Sequence, residues 1–184
     1  MKKGCILLGS VFICFFIWSG KKVEYAVSET IPEKLEKVYA INFQSFKNEV
    51  EVLVSLADNS MFGDELQLQR QVGKTRLAYK KIEFIFDYYQ SAYNGAYING
   101  APLPKISEYF EGGNVIEPSG LQALDEAVFE EASKEQLKRI KVLAAGLRTH
   151  VDYVSKIHFP LQLKPSQIIE SIRSGLVRIF TLGI

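Results

Sequence analysis

One stretch limits the possible folds more than any other. From Leu68 to Tyr93, apolar and aromatic side chains return at steps of four and three: Leu68, Val72, Thr75, Tyr79, Ile82, Phe86, Tyr89 and Tyr93. That spacing puts them on one face of an α-helix, whereas a half-buried strand would alternate at every second residue. A helix with one apolar face must bury it against other helices, so the stretch predicts a helical bundle. Arg76, Lys80, Glu83 and Asp87 run beside the apolar row at helical spacing. A charged row so close to a core needs partners. The helix is expected over about Asp64 to Tyr93. It feeds into Asn94-Gly95-Ala96-Tyr97-Ile98-Asn99-Gly100-Ala101-Pro102-Leu103-Pro104, a loop punctuated by Gly and Pro.

The remaining periodic segments agree. Thr30-Ile31-Pro32-Glu33 has the form of a capping box. It opens a first helix over about Pro32 to Ala57, with Tyr39, Phe43, Phe46, Val50, Leu53, Val54 and Ala57 as its apolar stripe. Asp58-Asn59-Ser60 ends it and Gly63 marks the turn. Gly73, inside the second helix, costs about 1 kcal/mol against Ala, and a close helix crossing would account for it. Residues 94–120 read as a long loop carrying Pro102, Pro104 and Pro118, with a helical turn over Ile106 to Phe110. A loop of that length in a compact domain is uncommon and suits a functional or partner-facing role. A short third helix follows, with Leu121, Leu124 and Val128 inward. Ser133 with Gln136 caps a fourth, striped by Leu137, Ile140, Ala144, Leu147, Val151, Val154 and His158 and closed by Pro160. Pro165-Ser166 opens a fifth, carrying Ile168, Ile169, Ile172, Leu176, Ile179 and Phe180. No strand alternation competes, and no internal repeat is visible. The fold class is all-α: an antiparallel bundle of four to five helices with one long loop.

The chain begins differently. Lys2 and Lys3 precede an uncharged run from Gly4 to Gly20, strongest between Ile6 and Trp18. A spanning helix needs about 20 apolar residues, so residues 1–20 read as a secretory signal, with an uncleaved anchor as the alternative. Ser19 and Gly20 suit cleavage and Trp18 does not. Lipidation at Cys14 is disfavoured, because Val11-Phe12-Ile13 lacks the small residue expected before a lipidated Cys. Residues 21–30 form a tether and 31–184 the bundle domain. Without residues 1–20, the 22 Lys and Arg fall by two and the 21 Asp and Glu stay, leaving a formal charge of −1. That balance gives no support to nucleic-acid binding. Both cysteines, Cys5 and Cys14, lie in the signal. The exported part therefore has no disulfide, no thiol nucleophile and no Cys-x-x-Cys-His for covalent haem. Export places the protein in the periplasm or cell envelope.

Arg76, Lys80 and Glu83, with Asn99 and Gln122, are the candidate polar network or binding site. Two cations and a carboxylate can hold an anion or, beneath the 94–104 loop, the loop's backbone groups. The plainer reading is a solvated face with i,i+3 and i,i+4 pairs. Tyr79, Tyr88, Tyr89, Tyr93 and Tyr97 would line a pocket or partner surface, or pack the end of the bundle. His150 and His158 are the only histidines. Eight residues apart on a helix, they stand about 80° and about 12 Å apart and cannot chelate one ion. No Gly-rich phosphate loop, His-Glu-x-x-His or nucleophile elbow is present, so no catalytic or metal residue is assigned.

The run Arg76-Leu-Ala-Tyr-Lys-Lys-Ile-Glu-Phe, then Tyr88-Tyr89, Tyr97-Ile-Asn-Gly-Ala-Pro-Leu-Pro, Glu117-Pro-Ser-Gly-Leu-Gln-Ala-Leu-Asp-Glu and Val128-Phe129, carries a resemblance. It resembles the N-terminal non-haem helical region ahead of the haem domains in bacterial di-haem cytochrome-c peroxidase-like proteins. The closing Arg178-Ile-Phe-Thr-Leu-Gly-Ile is similar to the segment leading out of that region. The likeness covers about residues 35–184 and is most specific over 76–129. It implies an interaction or structural module of an exported electron-transfer protein. Haem would then reside on a partner or a missing domain, with no cofactor on this chain. The abrupt apolar end fits a truncated or split form. The alternative is an imelysin-like envelope protein binding iron or haem for uptake. The Gly-x-His-x-x-Glu motif of that family is missing around His150 and His158.

Overall fold

A computed structural model describes residues 29–61, 63–106, 115–157 and 161–182. The expected signal, residues 1–20, and most of the tether lie outside the described residues. So do His158, most of the 106–110 turn and the final Gly183-Ile184.

The described chain is an all-α bundle. Its helices are α1 (Ile31–Asn59), α2 (Glu65–Lys80), α3 (Glu83–Tyr93), α4 (Leu121–Phe129), α5 (Lys134–Ile157) and α6 (Pro165–Leu182). The capping box forms as read: Thr30 N–H donates to Glu33 Oε2 at 2.8 Å, and Glu33 N–H donates to Thr30 Oγ1 at 3.5 Å. All seven stripe residues of α1 are buried. Helix α1 packs along α2 and α5, and α4 bridges α2 and α5. The rings of Phe46 and Tyr79 meet at 5.7 Å in the middle of this core. Leu121, Leu124 and Val128 of α4 close it, as do Ile140, Leu147, Val151 and Val154 of α5. At the start of α5, Ser133 Oγ accepts from Gln136 N–H at 3.0 Å.

Three expectations are corrected. The single helix over 64–93 is two. Ile82 N–H bonds Tyr79 O at 2.9 Å, a three-residue closure that tightens the chain between α2 and α3. The apolar stripe survives, because Ile82 and Phe86 remain buried. Gly73 marks no close crossing: it is exposed, and a Cβ there would meet no atom within 4 Å. The long loop is also not free of strands. Lys105–Ile106 and Val115–Ile116 pair antiparallel, so Ile106 begins no helical turn.

Helix α6 stands apart. It packs mainly on α3. Of its expected stripe only Ile168 is buried, while Ile169, Ile172, Leu176, Ile179 and Phe180 are exposed. Its entry is fixed by polar contacts. Leu163 N–H donates to Glu36 Oε1 at 2.6 Å, and Tyr89 Oη donates to Gln167 Oε1 at 2.9 Å.

Candidate functional site

The charged row does find partners, on helices rather than on the loop. Arg76 pairs with Asp125 of α4. Lys80 Nζ lies 2.8 Å from Glu83 Oε2, across the tightened turn. Glu83 Oε1 lies 3.2 Å from Arg178 of α6, and Arg178 reaches Asp87 Oδ2 at 2.8 Å. Asp87 Oδ1 accepts from Asn94 Nδ2 at 2.7 Å, and Asn94 Oδ1 accepts from the Tyr79 hydroxyl at 2.9 Å. One chain of polar contacts thus runs from Lys80 through Glu83, Arg178, Asp87 and Asn94 to Tyr79. Glu83 and Asn94 are buried, and the fork of Arg178 bridges two carboxylates one helical turn apart. Burial pushes the Tyr79 phenol far above its usual range, so its proton stays on oxygen. No buried side-chain polar atom among the described residues lacks a partner. This is a closed network that fastens α6 to α3.

Asn99 and Gln122 belong to a different assembly. After α3 the chain makes a π turn, Asn94–Ile98, closed by Asn99 N–H on Asn94 O at 2.8 Å. Gln122 Nε2 donates to Asn99 O at 2.9 Å, and Ser119 Oγ donates to Ala96 O at 2.8 Å. These neutral donors hold the loop, in the place expected for Arg76, Lys80 and Glu83. Gly120 has φ +86° and ψ −166°, a region essentially confined to glycine. A Cβ there would stand 2.6 Å from Ile98 O, and one at Gly100 would stand 2.5 Å from Ser119 O. The Asn-Gly and Ser-Gly pairs that bracket the loop therefore serve a backbone-on-backbone crossing.

The tyrosines divide three ways. Tyr79 is core. Tyr88 and Tyr89 meet edge to face at 5.2 Å, beside α6. Tyr93 and Tyr97 join two residues of α5 instead. Tyr93 Oη lies 2.8 Å from His150 Nδ1. Tyr97 stacks on the His150 ring at 4.4 Å and 16°, and Tyr153 stacks on Tyr93 at 5.5 Å and 30°. The π turn adds the residue that brings Tyr97 back over the imidazole. Burial lowers the basicity of His150 and raises the pKa of Tyr93. Sequence reasoning set His150 aside with His158 and did not join it to Tyr93. It also left Arg178 out of the network. Both links join residues far apart in the chain, and helical periodicity carries no signal for them.

Between α3 and α6 lies a groove of about 410 Å³, lined by Lys80, Glu83, Phe84, Ile172, Leu176 and Ile179. Gly175 of α6 faces α3: a Cβ there would stand 3.4 Å from Phe84 Cβ, in ordinary contact. The floor is apolar and one wall is the Lys80–Glu83–Arg178 cluster. Nucleophile, base and oxyanion donors do not converge there, and the geometry suits packing of an apolar surface beside a charged rim.

No helix among the described residues is long and apolar enough to cross a membrane. No group of three His, Cys, Asp or Glu side chains among them is placed to hold a metal ion. The chain matches no protein-family model, no curated protein and no solved structure.

Proposed function

We propose that this chain is a non-catalytic helical domain of the cell envelope that docks through α6 onto a haem-bearing redox domain of the cytochrome-c peroxidase type. The observation that carries this reading is the exposed apolar row of α6, three of whose residues also line the open groove beside α3. Ile169, Ile172, Leu176 and Ile179 recur at steps of three, four and three and are all about half exposed or more. That is the spacing of a helix-packing seam. A second, charged attachment already holds the helix to its own domain, so the seam is left for something else. Exposed apolar patches with polar rims mark interaction surfaces. The partner's chemistry comes from the resemblance over residues 76–129 and from the lack of Cys-x-x-Cys-His on this chain.

Photo-crosslinking in the source cell tests the reading. A benzophenone side chain at Leu176 should yield an adduct whose partner peptides carry Cys-x-x-Cys-His. The same probe at Val38, an exposed residue of α1, should not. No adduct from Leu176, or adducts only with polypeptides lacking that motif, would overturn it.

A further inference from the structure

Tyr93, Tyr97, His150 and Tyr153 take no part in the docking reading, and their arrangement has chemistry of its own. A phenol is hard to oxidise while it keeps its proton, since the product is then a strong acid. A base hydrogen-bonded to the phenol oxygen removes that barrier by taking the proton as the electron leaves. Tyr79 and Tyr89 donate to the amide oxygens of Asn94 and Gln167, which take no proton near neutral pH. Tyr93 is held against an imidazole nitrogen at 2.8 Å. Partial burial disfavours the charged form of that imidazole, which favours the neutral ring that can accept. Tyr97, stacked on the imidazole, and Tyr153, stacked on Tyr93, are 39% and 51% exposed and reach the surface. Ring centroids within the cluster lie 4.4 to 5.7 Å apart. Such separations are close enough for direct electron exchange between rings.

We propose that Tyr93 and His150 form a proton-coupled redox pair, reached from solvent through Tyr97 and Tyr153. One electron leaves the Tyr93 ring for a one-electron oxidant of ferryl-haem strength, which is reduced by one electron. The Oη–H bond breaks and the proton passes to Nδ1, forming an Nδ1–H bond. The products are a neutral tyrosyl radical and an imidazolium that now donates to the radical oxygen. One electron from an ascorbate-type one-electron reductant, which is itself oxidised by one electron, reduces the radical; the Nδ1–H bond breaks, the proton returns to Oη and the starting pair is restored. The step needs the imidazole tautomer with its proton on Nε2. The asymmetry of the site fits it: a half-buried tyrosine with a base beside its oxygen, and two more exposed rings on the outside.

The pair is independent of the docking partner and is tested on the full chain alone. Flash-generated tris(bipyridine)ruthenium(III) serves as the oxidant. The chain carries 2,3-difluorotyrosine at position 93, a change that leaves the ring in place. The trapped radical should show fluorine hyperfine coupling in its electron paramagnetic resonance spectrum. A tyrosyl spectrum without that coupling would place the radical elsewhere and overturn the proposal. His150→Phe keeps a ring for Tyr97 to stack on and removes the base. Radical formation at Tyr93 should then slow by about a hundredfold, the scale of a lost general base. An unchanged rate in a His150→Phe chain with native circular dichroism would equally overturn it. If that variant does not fold, the fluorine coupling alone decides.

Discussion

Helices α1 and α6 carry similar apolar rows and use them in opposite ways. In α1 all seven stripe residues are buried, from Tyr39 to Ala57. In α6 only Ile168 of the expected row is buried, and Phe180 is 85% exposed. Helix α1 is held by area removed from water, at about 25 cal/mol per Å². Helix α6 is held at one edge, by Arg178 on Glu83 and Asp87 and by Gln167 under Tyr89. Periodicity tells which residues share a face. It does not tell whether that face looks into the protein's own core or outward to another surface.

The strongest way to break the bundle side of this comparison lies at the crossing that closes it. Gly120→Ala combines a glycine-only backbone conformation with a Cβ 2.6 Å from Ile98 O. It should destabilise the domain by about 3 kcal/mol, read by denaturant melts. A loss below about 1 kcal/mol would mean that the crossing relaxes freely. The next effect concerns the α6 side. Glu83 is buried and holds both Lys80 and Arg178. Glu83→Ala should cost about 2–3 kcal/mol, the range for lost charge-assisted bonds. It should also raise amide exchange in α6 while leaving α1 protected, because the network holds one helix and not the other. Uniform loss of protection would contradict the separate attachment of α6.

Much of this contrast was legible in the residues and part was not. The burial of α1, the capping box at Thr30 and the inward face of α4 follow from local spacing, since i,i+3 and i,i+4 positions share a face whatever the rest of the chain does. The charged row was visible for the same reason. Its partners Asp125 and Arg178 were not, because they arrive from helices placed by tertiary packing. The break at Ile82 was hidden because a three-residue closure keeps Ile82 and Phe86 on the buried face, so the pattern runs through it. Asn99 and Gln122 do meet, but Gln122 binds a backbone carbonyl that any residue at 99 would offer. Tyr93 and His150 are 57 residues apart, and no local pattern links them. Only the packing of α5 against the π turn that follows α3 shows that they touch.

Smaller effects sharpen the same picture. Gly73 is an exposed glycine with open space where a Cβ would go, in the middle of α2. Gly73→Ala should stabilise the domain by about 1 kcal/mol, the difference in helix propensity, and a loss would restore the tight crossing. The His150 side depends on pH. Its folded pKa is lowered by burial, below the usual value of about 6.5. The neutral ring is therefore favoured in the folded state, and its contribution is fully present above about pH 6.5. As the pH falls toward the folded pKa, the unfolded chain takes up the proton first and stability declines. Melts across that window should show this decline in the wild type and less of it in His150→Phe. A wild-type stability that rose as the pH fell would have the wrong sign.

One pair of variants asks directly whether the two apolar rows differ. Leu53 of α1 is 0% exposed and Leu176 of α6 is 51% exposed. Leu53→Ala and Leu176→Ala remove the same atoms from the same kind of element. Denaturant melts of the two variants on the protein alone should give a loss of about 2–5 kcal/mol at Leu53, as for a buried leucine, and a change within about 0.5 kcal/mol at Leu176. Equal losses at the two sites would show that α6 is core after all and remove the basis for a docking face.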